Sequence, residues 1–190
     1  MTAVEPDPDQ VETLRFRVAE ILPNVSAEFC QETAQNWKGS DERFEAVLLF
    51  HCLYYVLQPD RPALFTKLFD NVLTSGGLVF ILVSPCSLKN PTMASRLIEL
   101  LGLPSYGYVD DVDGVLVRDM MTSVGFLDRY RLSLKYRLDV EEPIEDLLSV
   151  FVYWSRGKLS LEQVREALQQ VLGGERYLHD DVSFRVFEKP

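Results

Sequence analysis

Phe44-Glu45-Ala46-Val47-Leu48-Leu49-Phe50 is a near-continuous apolar run bounded by charge. A strand covered by helices on both faces reads this way, because neither face has to turn polar residues toward water. Beyond it, past His51 and Pro59, residues 61–73 place Leu64, Leu68, Val72 and Leu73 in helical phase, and Ser75-Gly76-Gly77 is the expected stop. Leu78-Val79-Phe80-Ile81-Leu82-Val83 is then a second fully apolar strand. A strand–helix–strand unit of this length is that of a right-handed parallel crossover.

Working outward from this unit extends the same alternation. Upstream, Asp7-Pro8-Asp9-Gln10 is a helix start: Asp7 accepts from free N–H groups, Pro8 suits the first helical position, and Gln10 falls at the third. The helix carries Val11, Leu14, Val18, Ile21 and Leu22 as a stripe and ends at Pro23-Asn24. Residues 25–30 read as a short strand and 31–43 as a polar loop holding Trp37. Downstream, helices are expected over 91–101, 112–124 (closed by Gly125), 143–154 and 160–172. The last opens with the capping box Ser160-Leu161-Glu162-Gln163 and closes at Gly173-Gly174. Residues 126–138 read as a strand, and 182–188 alternate as a final strand with one wet face would. The pattern is α/β in one domain of 190 residues, with an antiparallel pair at its C-terminal end.

Composition narrows the partners. A net charge of −10 argues against nucleic acid or an anionic membrane surface, since both call for a basic face. It is compatible with a cationic small ligand, but a solvated acidic surface is the favoured reading. Cys30, Cys52 and Cys86 have no paired spacing and read as buried reduced thiols. His51 and His179 have no ligand at metal-type spacing, so no metal site is expected. The N-terminal residues lack a basic and then apolar leader pattern, and no apolar run approaches the length that spans a bilayer. A cytoplasmic protein is the expectation.

Several motifs, in order, carry a resemblance to a known family. The run from Phe44 to Phe50 followed by His51-Cys52-Leu53-Tyr54-Tyr55-Val56 resembles the fourth strand of the histamine N-methyltransferases and the segment after it. Val4-Glu5-Pro6 with Gln10 resembles the end of that family's second strand, and Ser26 to Thr33 its third strand and loop. Residues 77–84 and 183–188 fall where its fifth and last strands are expected. The resemblance implies a Rossmann-like class I methyltransferase fold using S-adenosyl-L-methionine to methylate a small amine or imidazole compound. It implies cofactor contacts at Glu5 (toward the ribose hydroxyls), Gln10, Ala34 and Phe50 (beside the adenine). It implies substrate contacts at His51, Tyr54, Tyr55 and Asp180.

Each of these residues also has a plainer reading. Glu5 is a charge near a helix N-terminus, Gln10 a capping residue, Phe50 a core strand residue and His51 a strand-end histidine bonded to backbone. One of Tyr54 and Tyr55, pointing apart along the chain, is expected in the core, and Asp180 reads as a loop acid. The sequence also departs from the family. Aromatic residues are absent from Pro85 to Asn90, and Ala34 stands where a serine is usual. No GxGxG loop occurs, and its strand and helix, a unit of roughly 30 residues, have no counterpart. On this reading the chain is the C-terminal two-thirds of such a domain, an incomplete module with weak or no turnover by itself. The strand at 44–50 is then left as an apolar sheet edge open to self-association. The alternative is a catalytically dead binding or regulatory module derived from the same fold.

Overall fold

In the computed structural model the described residues are 1–50, 52–83, 93–103, 115–139, 148, 152, 155 and 158–190. The chain runs β1 (Thr2–Val4), α1 (Pro8–Ile21), β2 (Glu28–Cys30), β3 (Phe44–Phe50), α2 (Arg61–Lys67), β4 (Leu73–Val83), α3 (Met93–Leu100), α4 (Val115–Val124), β5 (Leu127–Asp139), α5 (Leu161–Leu172) and β6 (Tyr177–Glu188). The helix expected over 143–154 lies outside the described residues except for Leu148 and Val152, both helical.

The strands form two sheets. β1 and β2 pair in parallel, and the larger sheet has the order β3-β4-β6-β5. The β3–β4 pair is parallel, as the crossover reading required, and β6 runs antiparallel between β4 and β5. The late strands therefore form the antiparallel end of the sheet, with β5 rather than β6 at its edge. Among the described residues β3 has a strand neighbour on one side only, and β1 pairs with β2 alone.

One face of the larger sheet is closed. Val79, Ile81 and Val83 of β4 alternate inward and meet Leu49 of β3 and Phe187 of β6. α2 covers them with Leu64 and Phe65, and α4 with Val117 and Met121. Phe65, Val79, Val117, Met121 and Phe187 are all buried, so truncating Phe65 to alanine is worth about 3–5 kcal/mol. α3 and α5 build a separate small core around Leu97, Leu148, Val164, Leu168 and Leu172. The capping box forms as read: Ser160 Oγ accepts from the Gln163 N–H, and Gln163 Oε1 accepts from the Ser160 N–H.

Several boundaries differ from the sequence reading. Residues 25–30 are a strand only from Glu28. The final strand starts at Tyr177, not 182, because its first half pairs with β5 beyond the end of β4. The helix expected over 61–73 is α-helical to Lys67 and widens into a π-turn at Leu68–Val72. A helix end leaves carbonyls unpaired; here the Lys189 ammonium bonds to the carbonyls of Phe69 and Leu73. β4 begins at Leu73 and bulges outward before re-pairing at Leu78. Gly77 sits in that bulge because a Cβ there would lie 2.9 Å from the Thr74 carbonyl oxygen and 3.3 Å from that of Phe44.

Burial on both faces is the expectation most clearly revised. Leu48 and Phe50 of β3 are 62% and 47% exposed. They share a face with Phe80 and Leu82 of β4, Phe184 and Val186 of β6, and Leu132 and Leu134 of β5, given the strand registers. This face is half-covered in β4 and β6 and open at both edges. The apolar stripe of α1 is revised likewise. Only Val11 is buried, while Leu14, Ile21 and Leu22 are exposed, because a helix over a sheet of two three-residue strands has little to lie on.

Candidate functional site

In open α/β sheets ligands bind beyond the carboxyl ends of the parallel strands. Here those ends are Glu5 after β1, the 31–37 loop after β2, and residues 50–56 at the end of β3 and beyond. Glu5 extends the β1–β2 ladder, its N–H donating to the Cys30 carbonyl at 3.1 Å. Its Oε1 accepts from the Asp7 N–H at 3.0 Å. One carboxylate oxygen is thus committed to the entry of α1, in line with its plainer reading as a helix-start charge. Gripping a ribose diol would call on the second oxygen as well. Asp7 caps the helix, accepting from the N–H groups of Asp9 (2.9 Å) and Gln10 (3.1 Å). Gln10 is exposed in the first turn, its side chain at the surface.

Just past β3, burial pushes the Cys52 thiol up to about 11, and the carboxylate of Glu5 adds to the shift. Phe50, the last residue of β3, is exposed rather than in the core, which leaves its ring available to a flat ligand. Ala34, half-buried, packs with Trp37 and Cys52 against the core beneath the sheet. Glu5 follows β1, Ala34 lies in the loop after β2, Phe50 ends β3 and Cys52 follows it, so each is at or past the carboxyl end of its own strand.

Helix α2 fixes the two loops of this edge. Arg61 is 1% exposed, and its Nε and Nη2 donate to the carbonyls of Val56 (3.0 Å) and Leu53 (3.2 Å). It closes the 3₁₀ turn Leu53–Tyr55, which has no side-chain cap of its own. At the other end of α2, Lys67 Nζ donates to the carbonyls of Ala34 (2.6 Å), Gln35 (3.2 Å) and Trp37 (2.7 Å). Sequence reading missed both cations. Their only signal was a pair of basic residues on a helix that otherwise reads as an amphipathic cover.

The expected substrate residues are only partly placed. Tyr55 is 51% exposed on the 3₁₀ turn, so it is not the core member of the tyrosine pair. His51 lies outside the described residues, as does the side chain of Tyr54, whose backbone is in the same turn. Asp180 stands in β6 opposite Tyr136, and its side chain is outside the described residues. Its position in the strand replaces the expected loop. β6 pairs with the last residue of β4, Val83, at Ser183, so Asp180 lies three residues (about 10 Å) beyond the carboxyl end of β4. That places its backbone past the carboxyl ends of the parallel β3 and β4, two strands away from β3. Among the described residues no group of three or more His, Cys, Asp or Glu side chains is gathered as a metal site. No helix among them is long and apolar enough to cross a membrane.

Compared with solved structures, the chain superposes over its whole length. A methyltransferase candidate from Bacillus halodurans matches with a TM-score of 0.64 and 13% identity, covering 100% of this chain and 82% of the other. The YcgJ protein of Bacillus subtilis matches with a TM-score of 0.67 and 11% identity over 99% and 81%. The fold is that of the Rossmann-like methyltransferases. A mycolic acid cyclopropane synthase solved with S-adenosylhomocysteine matches with a TM-score of 0.62 and 12% identity, over 99% of this chain and 69% of the other. The N-methyltransferase NodS of Bradyrhizobium japonicum, also bound to S-adenosylhomocysteine, matches at 0.54 and 10%, over 100% and 66%. No protein-family model and no curated sequence matches the chain. At these identities the likeness establishes the fold; the varied chemistry of the neighbours leaves substrate to the site itself.

Proposed function

We propose that this chain is a class I methyltransferase module that binds S-adenosyl-L-methionine across the carboxyl ends of β1, β2 and β3 and methylates a small amine or imidazole nitrogen. The observation that carries this reading is that Glu5, Ala34 and Phe50 each lie at or just past the carboxyl end of a parallel strand, within a fold whose solved neighbours include S-adenosylhomocysteine complexes. Glu5 would accept from the ribose, Phe50 would lie against the adenine, and the Ala34 loop would flank it, with Gln10 a further contact from α1. His51, Tyr54, Tyr55 and Asp180 would face the substrate. An exposed tyrosine ring and a carboxylate suit a cationic amine.

The cofactor would supply an electrophilic methyl group on its sulfonium. The residues of the chain would hold the amine lone pair in line with it, and that positioning is the larger part of such a transfer. Among the described residues β1 pairs with β2 alone and β3 has a strand neighbour only in β4. We expect weak turnover by the chain as it stands.

A second reading is a binding module of the same fold without turnover. The first reading requires the pocket to hold cofactor; the second, which would bind amines or a partner protein, does not. Calorimetric titration of S-adenosylhomocysteine into wild type and Glu5→Gln tests that requirement. Binding weakened by about tenfold or more in the variant supports it, since a bond to a charged acceptor is worth about 1.5–3 kcal/mol. An affinity unchanged by the substitution removes Glu5 from the site. Methyl transfer from labelled S-adenosylmethionine to small amines then separates enzyme from binder.

A further inference from the structure

An ammonium group has three N–H donors and no acceptor. Lys67 directs its three at three carbonyls of one short segment, those of Ala34, Gln35 and Trp37, between 30 and 33 residues away in the chain. The segment is a tight turn: the N–H groups of Asn36 and Trp37 both return to the Thr33 carbonyl, at 3.0 and 2.9 Å. Such a turn points its next carbonyls to one side, where unpaired they would cost free energy as part-buried acceptors. Lys67 meets them from the last residue of α2, and the helix is itself anchored in the core by Leu64, Phe65 and Leu68. Arg61, six residues earlier, bonds in the same way to the turn after β3.

We infer that Lys67 is a positioning residue: it holds the 33–37 turn against α2 and so fixes the cofactor-side wall of the site. The inference deepens the proposed function and rests on it for the word cofactor; the tethering of the turn stands on geometry alone. Lys67 makes this contact from behind the loop, with its donors spent on main-chain carbonyls. A point charge with rotatable donors can reach three carbonyls that do not share a plane, whereas the flat guanidinium of arginine cannot match them all. Desolvation lowers the lysine from its ordinary range, as expected for a part-buried ammonium bonded to neutral carbonyls.

The test compares wild type with Lys67→Met and Val164→Ala in the full chain. Methionine keeps the stem packing and removes every donor. Val164 is fully buried in the separate α3–α5 core, so its truncation lowers stability without touching the turn. Amide hydrogen exchange is read at Asn36 and Trp37 without ligand, and S-adenosylhomocysteine affinity by calorimetry. Lys67→Met should speed exchange at both amides at least tenfold and weaken S-adenosylhomocysteine at least tenfold. Val164→Ala should lower the melting temperature and leave the local exchange and the affinity within twofold of wild type. Unchanged exchange in Lys67→Met would overturn the inference, as would fast exchange with unchanged affinity. If wild type binds no S-adenosylhomocysteine, the proposed function fails, and exchange alone decides whether Lys67 holds the turn.

Discussion

At the scale of single residues, this site is governed by groups whose neighbours matter more than their identity. Cys52 shows this most clearly. Burial, reinforced by Glu5, holds its thiol neutral until about pH 11, while in the unfolded chain it ionises near its ordinary value of 9.0. Between those values the unfolded chain has lost a proton that the folded chain keeps, so stability falls with rising pH. The slope is up to about 1.4 kcal/mol per pH unit from this one group, and the contribution is absent below pH 9. Lys67 acts with the opposite sign, because its folded-state value is lowered and the unfolded chain binds more protons as the ammonium titrates. Denaturant unfolding of wild type and Cys52→Ala from pH 8 to 11 isolates the cysteine, since Lys67 is common to both. The account expects the variant to gain on wild type as pH rises above 9. Parallel pH profiles would mean that Cys52 is solvated.

At the scale of elements, β3 carries the main consequence. Its inner residue Leu49 is buried under α2, yet Leu48 and Phe50 face outward, and no strand among the described residues lines its other edge. An apolar edge of this kind is a template for pairing. Sedimentation velocity across a concentration series should therefore show wild type self-associating, and Leu48→Lys should reduce it, since an edge lysine blocks strand addition. A monomer at every concentration, or association indifferent to the lysine, would mean that this edge is covered some other way.

The same strand shows what was legible beforehand. Its limits, its parallel partner and the crossover helix were readable from the run 44–50 because backbone pairing and helical phase are local properties. Burial of both faces was inferred from apolarity, and it failed because cover comes from other elements. The π-turn at Leu68–Val72 was not readable either, since its carbonyls are answered by Lys189 from the far end of the chain. The expectations at Glu5, Ala34 and Phe50 came from the family resemblance, and each of these residues lies at or just past a strand's carboxyl end. Arg61 and Lys67 were missed because their partners are backbone carbonyls, which no residue type announces.

At the scale of the whole molecule, the fold is a methyltransferase sheet in two pieces, β2–β1 and β3–β4–β6–β5, joined at the carboxyl edge by the loops that α2 holds. That arrangement explains how Glu5 of one piece acts on Cys52 of the other. It also explains why the proposed pocket depends on tethers from beneath more than on a continuous ladder. The central claim is that S-adenosylmethionine sits across this junction. Amide chemical-shift mapping of the isotopically labelled chain during titration with S-adenosylhomocysteine tests it most directly. Saturable shifts are expected at Glu5, Ala34, Phe50 and Cys52, with α5 unmoved. Shifts absent throughout, or confined to α5 and the outer strands, would contradict it.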